Sequence, residues 1–248
     1  MVRMSDSQNE QNKENKAKYG LGVFLLGEFL NSPTTPRSMA AFKNFKVAFK
    51  ASPESVAAQK FLSHYVDTYT LDMSSAIGDF VNGPDFVKFS KPIQKEIVGK
   101  IIKPGVENGF NKVTDISTDY YSGVLRAQKL GGKAVPGIID ADRLDRSIVS
   151  LEKRVLGENF SSAQLYSKGA FQNIAKSGKI ETEKSTADYL RKHRIETIAE
   201  RVLVHANDPC SYCSELSGTD FDIYKQGEHF LNFHDHCRCF VRVKFKRA

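Results

Sequence analysis

Apolar residues recur along this chain at two periods. Most of the sequence follows the helical period and the last quarter shifts to alternation. Phe42, Phe45 and Phe49 step by three and four residues, with Lys43, Lys46 and Lys50 one position further round. This predicts a basic amphipathic helix after Pro36. Ser52 before Pro53 reads as the next helix start, Ser as N-cap and Pro in the first turn. Phe61, Tyr65 and Tyr69 then repeat every four residues. Pro92 opens a helix whose face carries Ile93, Ile97 and Ile101, although Gly99 argues against an unbroken one. Val106, Phe110 and Val113 lead a segment through Tyr120, Tyr121, Val124 and Leu125 to a break at Gly131-Gly132. The sharpest pattern spans Asp140 to Leu156. There Leu144, Ile148, Leu151 and Val155 form one stripe, and Gly157 follows as a C-cap.

Residues 1–18 are polar and amide-rich and predict a mobile tail, since they offer little apolar surface to bury. Residues 176–184 (KSGKIETEK) read as a linker or exposed turn. A helix starting at Ser185 carries Arg191-Lys192-His193-Arg194. Arg201 to His205 then reads as a strand. The chain ends in FVRVKFKR, where Val241, Val243 and Phe245 alternate with Arg242, Lys244 and Lys246. That is a half-buried strand with a basic outer face. The resulting expectation is an α+β protein: a tail (1–18), a mainly helical domain (19–183), and a small Cys/His zinc-type module with a β-hairpin (184–248).

Composition narrows the class. With 40% hydrophobic and 26% charged residues, the chain has the balance of a folded globular protein. Lysine and arginine exceed the acids by 36 − 29 = +7, and the pI is near 9.1. A polyanionic partner, nucleic acid or an acidic protein surface, follows as an expectation. Lys91, Lys95, Lys100 and Lys103 spread over half a helix circumference and make a loose basic side. The stretch between Glu28 and Glu54 has no acid at all, so the face with Lys43, Lys46 and Lys50 is the other candidate contact, together with Arg242, Lys244 and Lys246. No apolar run reaches membrane-spanning length and the N-terminus does not read as a secretory signal, so a reducing cytoplasm is the expected compartment.

All four cysteines fall within residues 210–239. Cys210 and Cys213 form C-x2-C. Cys237 and Cys239 form C-x-C, with His234 and His236 just upstream and His229 nearby. Four thiolate or imidazole ligands on two short knuckles are the usual sequence form of a structural zinc site. The C-x-C pair is geometrically tight, so His234 or His236 could replace one thiolate. Four other readings compete. A thioredoxin-like motif needs more chain after Cys213 and leaves the second pair unexplained. A zinc deaminase needs an upstream H-x-E, and none of His64, His193 or His205 supplies it. Two disulfides would fit an oxidising setting, or the thiols could pack as small apolar groups. Asp140, Asp142 and Asp145 at a helix start read as capping charges, and Gly131-Gly132-Lys133 lacks the spacing of a phosphate loop.

The run DPCSYCSELSGTDF…FHDHCRCFVRVKF resembles the C-terminal signature of bacteriophage head morphogenesis proteins of the Mu F (MuF-like minor capsid) family, in a form similar to that of actinobacteriophages. Cys210, Cys213, Gly218, Phe233, His234, Cys237, Arg238 and Cys239 carry the likeness, within residues 195–246. The resemblance implies a structural minor head protein without catalysis, inside the virion head after assembly in the host cytoplasm. Its partners would be portal, scaffold or major capsid protein and packaged double-stranded DNA, with no membrane and no small-molecule substrate. Some relatives carry a protease or toxin domain after this module; with nine residues after Cys239, none is expected here. Two alternatives stand beside it: a zinc-stabilised nucleic-acid-binding protein, and a metal-dependent nuclease or hydrolase using His234 or His236 as base.

Overall fold

A computed structural model describes residues 19–32, 34–202, 220–222 and 240–247. Nine segments, eight α-helices and one π-helical turn, precede a small antiparallel sheet among these residues: α1 (Leu21–Asn31), α2 (Pro36–Ala51), α3 (Val56–Val81), α4 (Pro84–Val87), α5 (Lys91–Ile97), the π turn Val98–Ile102, α6 (Lys103–Ala127), α7 (Ala141–Leu156) and α8 (Phe160–Lys192). The strands are β1 (Ile195–Val202), β2 (Asp220–Asp222) and β3 (Phe240–Arg247), in the order β2-β1-β3. The protein is therefore α+β and mainly helical. It divides into two compact units.

The first unit holds residues up to Ser38, 68–112 and 139–176. Its apolar core joins one stripe from each helix: Val23, Leu26 and Leu30 of α1, Met73, Ile77 and Val81 of α3, and Leu144, Ile148, Leu151 and Val155 of α7. Helix α7 forms where the pattern predicts it. Asp140 Oδ1 accepts the Arg143 amide at 2.8 Å as an N-cap, Asp142 lies in the first turn, and Lys153 and Arg154 lie in the last. Gly99 does not end the helix. The winding widens instead into the π turn and resumes as α6. Pro104, second in α6, explains the adjustment: its ring would press on the carbonyl four residues back, and it offers no N–H to the ladder. Further along α6 a Cβ on Gly109 would meet Met73 Sδ, so a larger residue there would make the Met73 side chain shift.

The second unit holds 39–67, 113–138 and the residues from Ser177 on. Aromatic rings run through it in a chain of contacts. Phe42 meets Tyr65 at 5.0 Å, Phe45 meets Tyr120 at 6.0 Å, Tyr120 meets Tyr121 at 4.9 Å, and Tyr121 meets Phe245 of β3 at 6.0 Å. Edge-on and tilted rings at such distances add about 0.5–1.5 kcal/mol per pair beyond their burial. The cap of α3 differs from expectation. Ser55, not Ser52, accepts the Ala58 amide at 3.1 Å, and its hydroxyl donates to Ser52 O at 2.8 Å. Pro53 lies in a turn ahead of the helix.

Residues 176–184 are not a linker. They lie inside α8, which runs unbroken from Phe160 to Lys192, so the helix expected from Ser185 is its final part and the domain boundary expected at 183/184 falls inside it. Some of their polar side chains face inward: Lys179, Thr182 and Glu183 are buried, as is Thr186 one turn further on. The two threonines hold the extended segment 130–140. Thr186 Oγ1 accepts the Val135 amide at 2.9 Å and Thr182 Oγ1 accepts the Gly137 amide at 3.2 Å. A segment with no ladder of its own thus gains partners for its backbone. The strand expected at 201–205 begins earlier, at Ile195; its described part ends at Val202, and 203–205 lie outside the described residues.

Candidate functional site

Strands β1 and β3 pair antiparallel over their whole length, from Ile195 opposite Arg247 to Val202 opposite Phe240. The ladder therefore brings the two ends of the Cys/His segment to adjacent points on one sheet. Three residues of that segment, Asp220–Asp222, return to pair with β1 on its other side. Period-2 alternation sets the faces. Ile195, Thr197, Val243 and Phe245 are buried, whereas Glu196 and Lys246 are exposed and opposite each other. Phe245 turns its ring edge-on to Tyr121 and so fastens the sheet to the helices of its own unit. Cys210, Cys213, Cys237, Cys239, His229, His234 and His236 lie outside the described residues. Among the described residues no group of three His, Cys, Asp or Glu could hold a metal ion, and no helix is long and apolar enough to cross a membrane. Asp140 caps α7 and Asp145 pairs with Lys103 at 2.7 Å, in line with their reading as helix-start charges.

The lysines expected to meet a polyanion separate into two kinds. In the first unit Lys91 pairs with Glu158 at 3.2 Å, Lys100 with Glu96 at 2.7 Å, and Lys103 with Asp145 at 2.7 Å; Lys95 is exposed. The hydrogen bond that Lys103 donates to Asp145 raises the Lys103 pKa. The basic side of 91–103 is thus largely neutralised by its own neighbours. In the second unit Lys43, Lys46 and Lys50 of α2 are exposed, and none has an ion pair among the described residues. Lys46 lies over the Phe42 ring at 5.6 Å. On β3, Arg242 and Lys244 are half-buried and engaged by other groups of the molecule.

One polar cluster escaped the sequence reading. In the second unit Lys179 and the Tyr121 hydroxyl both donate to Glu183 Oε1, and Gln59 Nε2 lies 3.5 Å from the Tyr121 oxygen. All four residues are buried, and Glu183 Oε2 has no hydrogen-bond partner among the described residues. Burial, reinforced by Glu183, raises the pKa of Tyr121 far above the ordinary phenol range. Tyr120 is raised for the same two reasons, and burial pushes Tyr65 up to about 12. The available signal is Lys179, Thr182, Glu183 and Thr186, a polar stripe at helical spacing that runs from the expected turn at 176–184 into the helix expected from Ser185. In the first unit an open recess of about 420 Å³ is lined mainly by Tyr19, Val23, Phe80 and Phe89, with Asp85 and Lys88 at its wall.

Comparison with models of protein families, with curated proteins and with solved structures finds no match to this chain.

Proposed function

We propose that this chain is a structural minor head protein of a tailed bacteriophage, of the MuF-like kind, acting in capsid assembly without catalysis. The observation that carries this reading is the β1–β3 ladder. It closes the base of the segment holding Cys210, Cys213, Cys237 and Cys239, the segment on which the resemblance rests. In this reading the four thiolates hold a structural zinc ion, with His234 or His236 as the alternative ligand. Such a metal supplies rigidity to a short segment with little core of its own. The portal, scaffold or major capsid protein is the assembly partner, packaged DNA lies nearby, and the protein's place is inside the head.

Native mass spectrometry of the full chain, with denatured spectra under reducing and non-reducing conditions, tests the metal. One zinc per chain, lost in Cys210→Ser and in Cys237→Ser, is the expected result. Four free thiols without metal would overturn the zinc module. Peptide mass spectrometry of purified particles tests the head: the chain is expected in DNA-filled heads, and its absence from particles of the phage that encodes it would overturn the assignment.

A further inference from the structure

We propose that the outer face of α2 is a docking surface for the phosphate backbone of duplex DNA, with Lys43, Lys46 and Lys50 as the contact residues. This goes beyond the head-protein reading and rests on none of the cysteines.

At about 100° per residue the three lysines fall within roughly 60° of arc, and they cover about 10 Å of helix axis. They form a narrow stripe, unlike the spread set at 91–103. The inward side is committed to packing, with Ala41 and Phe45 buried and the adjoining Phe42 and Phe49 rings in aromatic contacts. The stripe is therefore held in place by the core behind it. Helix α2 contains no acid, and the lysines have no ion pair among the described residues. Lys91, Lys100 and Lys103 show the contrast, each already satisfied by a carboxylate. Three ammonium groups aligned with no ion pair among the described residues raise the local potential and favour a polyanion.

The chemistry of the face selects among polyanions. Lysine is a point charge on a flexible stem and suits a charge ladder read without regard to sequence. Duplex DNA carries about one negative charge per 1.7 Å of axis, so every register of a 10 Å stripe finds phosphates. Insertion into an anionic lipid surface needs a broad apolar face, and the phenylalanines of α2 face the protein. A specific protein interface needs a large aromatic or arginine anchor at its centre. Here the exposed apolar side chains on the helix are Met39 and Val47, at 60% and 64% exposure.

The test is fluorescence anisotropy of a labelled 30-base-pair duplex with the full-length protein across a salt series. Three phosphate contacts to a duplex contribute about −2.7 to the slope of log K against log salt, equivalent to a roughly 40-fold loss between 50 and 200 mM. The variant Lys43→Gln/Lys46→Gln/Lys50→Gln is expected to flatten the slope by about that amount with an unchanged melting temperature, since all three side chains are exposed. Arginine at the same three positions is expected to restore it. The ion-paired set Lys91→Gln/Lys100→Gln/Lys103→Gln serves as the control and is expected to change the slope by less than about one. An unchanged slope in the first variant overturns the proposal, as does a parent protein that fails to bind the duplex at 50 mM salt. Loss of binding to polyglutamate with intact duplex binding would assign the face to an acidic protein and overturn it as well. A chain that holds zinc yet fails here loses this proposal alone; a chain without zinc that passes loses only the metal module.

Discussion

The Tyr121 hydroxyl donates to Glu183 Oε1 across 62 residues of sequence, deep in the second unit, and the buried ammonium of Lys179 shares the same oxygen. A charge pair with side chains 10% and 1% exposed is not a surface decoration. Removing one member leaves the other charged and unpaired in the core, which costs about 3–5 kcal/mol. Glu183→Gln and Lys179→Met are each expected to destabilise on that scale in urea unfolding. The double change Lys179→Met/Glu183→Leu is expected to recover most of the loss, because no charge then remains buried. Additive losses in the double variant would show that the pair is not the unit of stability.

The segment 130–140 depends on two threonine hydroxyls and on the small size of Gly137. A Cβ there would lie 2.7 Å from the Thr182 amide nitrogen and 2.7 Å from Glu181 Cβ, so Gly137→Ala must push the segment off α8. Thr182→Val removes the acceptor of the Gly137 amide and is expected to cost about 1–3 kcal/mol. Hydrogen exchange checks both: the amides of Val135 and Gly137 should lose protection while Leu144 and Leu151 in α7 keep theirs.

Acid should weaken the first unit partly through Asp79. Its carboxyl accepts from Lys168 at 2.8 Å and from Gln164 at 2.8 Å, and the Lys168 hydrogen bond, followed by that of Gln164 and the Lys168 charge, holds its pKa below 3.8. The folded pKa is lowered, so the stabilisation is present above the unfolded value and is lost as pH falls through the folded one. Asp79 is largely exposed, so the effect is small and screened by salt. Thermal melts from pH 6 to pH 2.5 are expected to show a shallower acid decline in Asp79→Asn than in the parent. Parallel declines would remove Asp79 from the acid response.

At the alkaline end the order of events is set by burial. The phenols of Tyr65, Tyr120 and Tyr121 have raised folded pKa values, so their contribution is present below pH 10.0 and is lost as pH rises beyond it. The phenolate absorbance of the nine tyrosines is expected to rise in two stages. Tyr65, Tyr120 and Tyr121 should ionise only together with loss of helical circular dichroism. A single smooth rise with the fold intact would contradict their burial.

Glu158 closes the turn after α7 with a left-handed φ of 60°, a conformation costly for any side chain with a Cβ. Its ion pair with Lys91 joins two exposed side chains and offsets little of that strain. Glu158→Gly is expected to raise stability by up to about 1 kcal/mol. A lowered melting temperature would show that the ion pair outweighs the backbone.

Local repetition made α2, α7 and β3 legible in the sequence. The apolar stripe of Leu144, Ile148, Leu151 and Val155, the cap at Asp140 and the alternation of Val243 and Phe245 each state their structure within a few residues. The knuckle spacing of Cys210, Cys213, Cys237 and Cys239 is equally local, but those residues lie outside the described ones; the strands on either side of them are seen, paired as β1 and β3. Partnerships between distant polar groups were not legible. KSGKIETEK reads as an exposed turn because its lysines, glutamates and threonine are polar; the fold buries Glu183 against Tyr121 and Thr182 against Gly137, and Thr186 just beyond it meets Val135, each partner more than 40 residues away. Likewise Lys91 and Lys103 looked available until Glu158 and Asp145 arrived from elsewhere in the chain. Apolar periodicity is written within one element, because a helix or strand needs only its own spacing to make a face. Whether a charged or polar group ends up paired, buried or free depends on which group folding brings opposite it, and that was decided only in three dimensions.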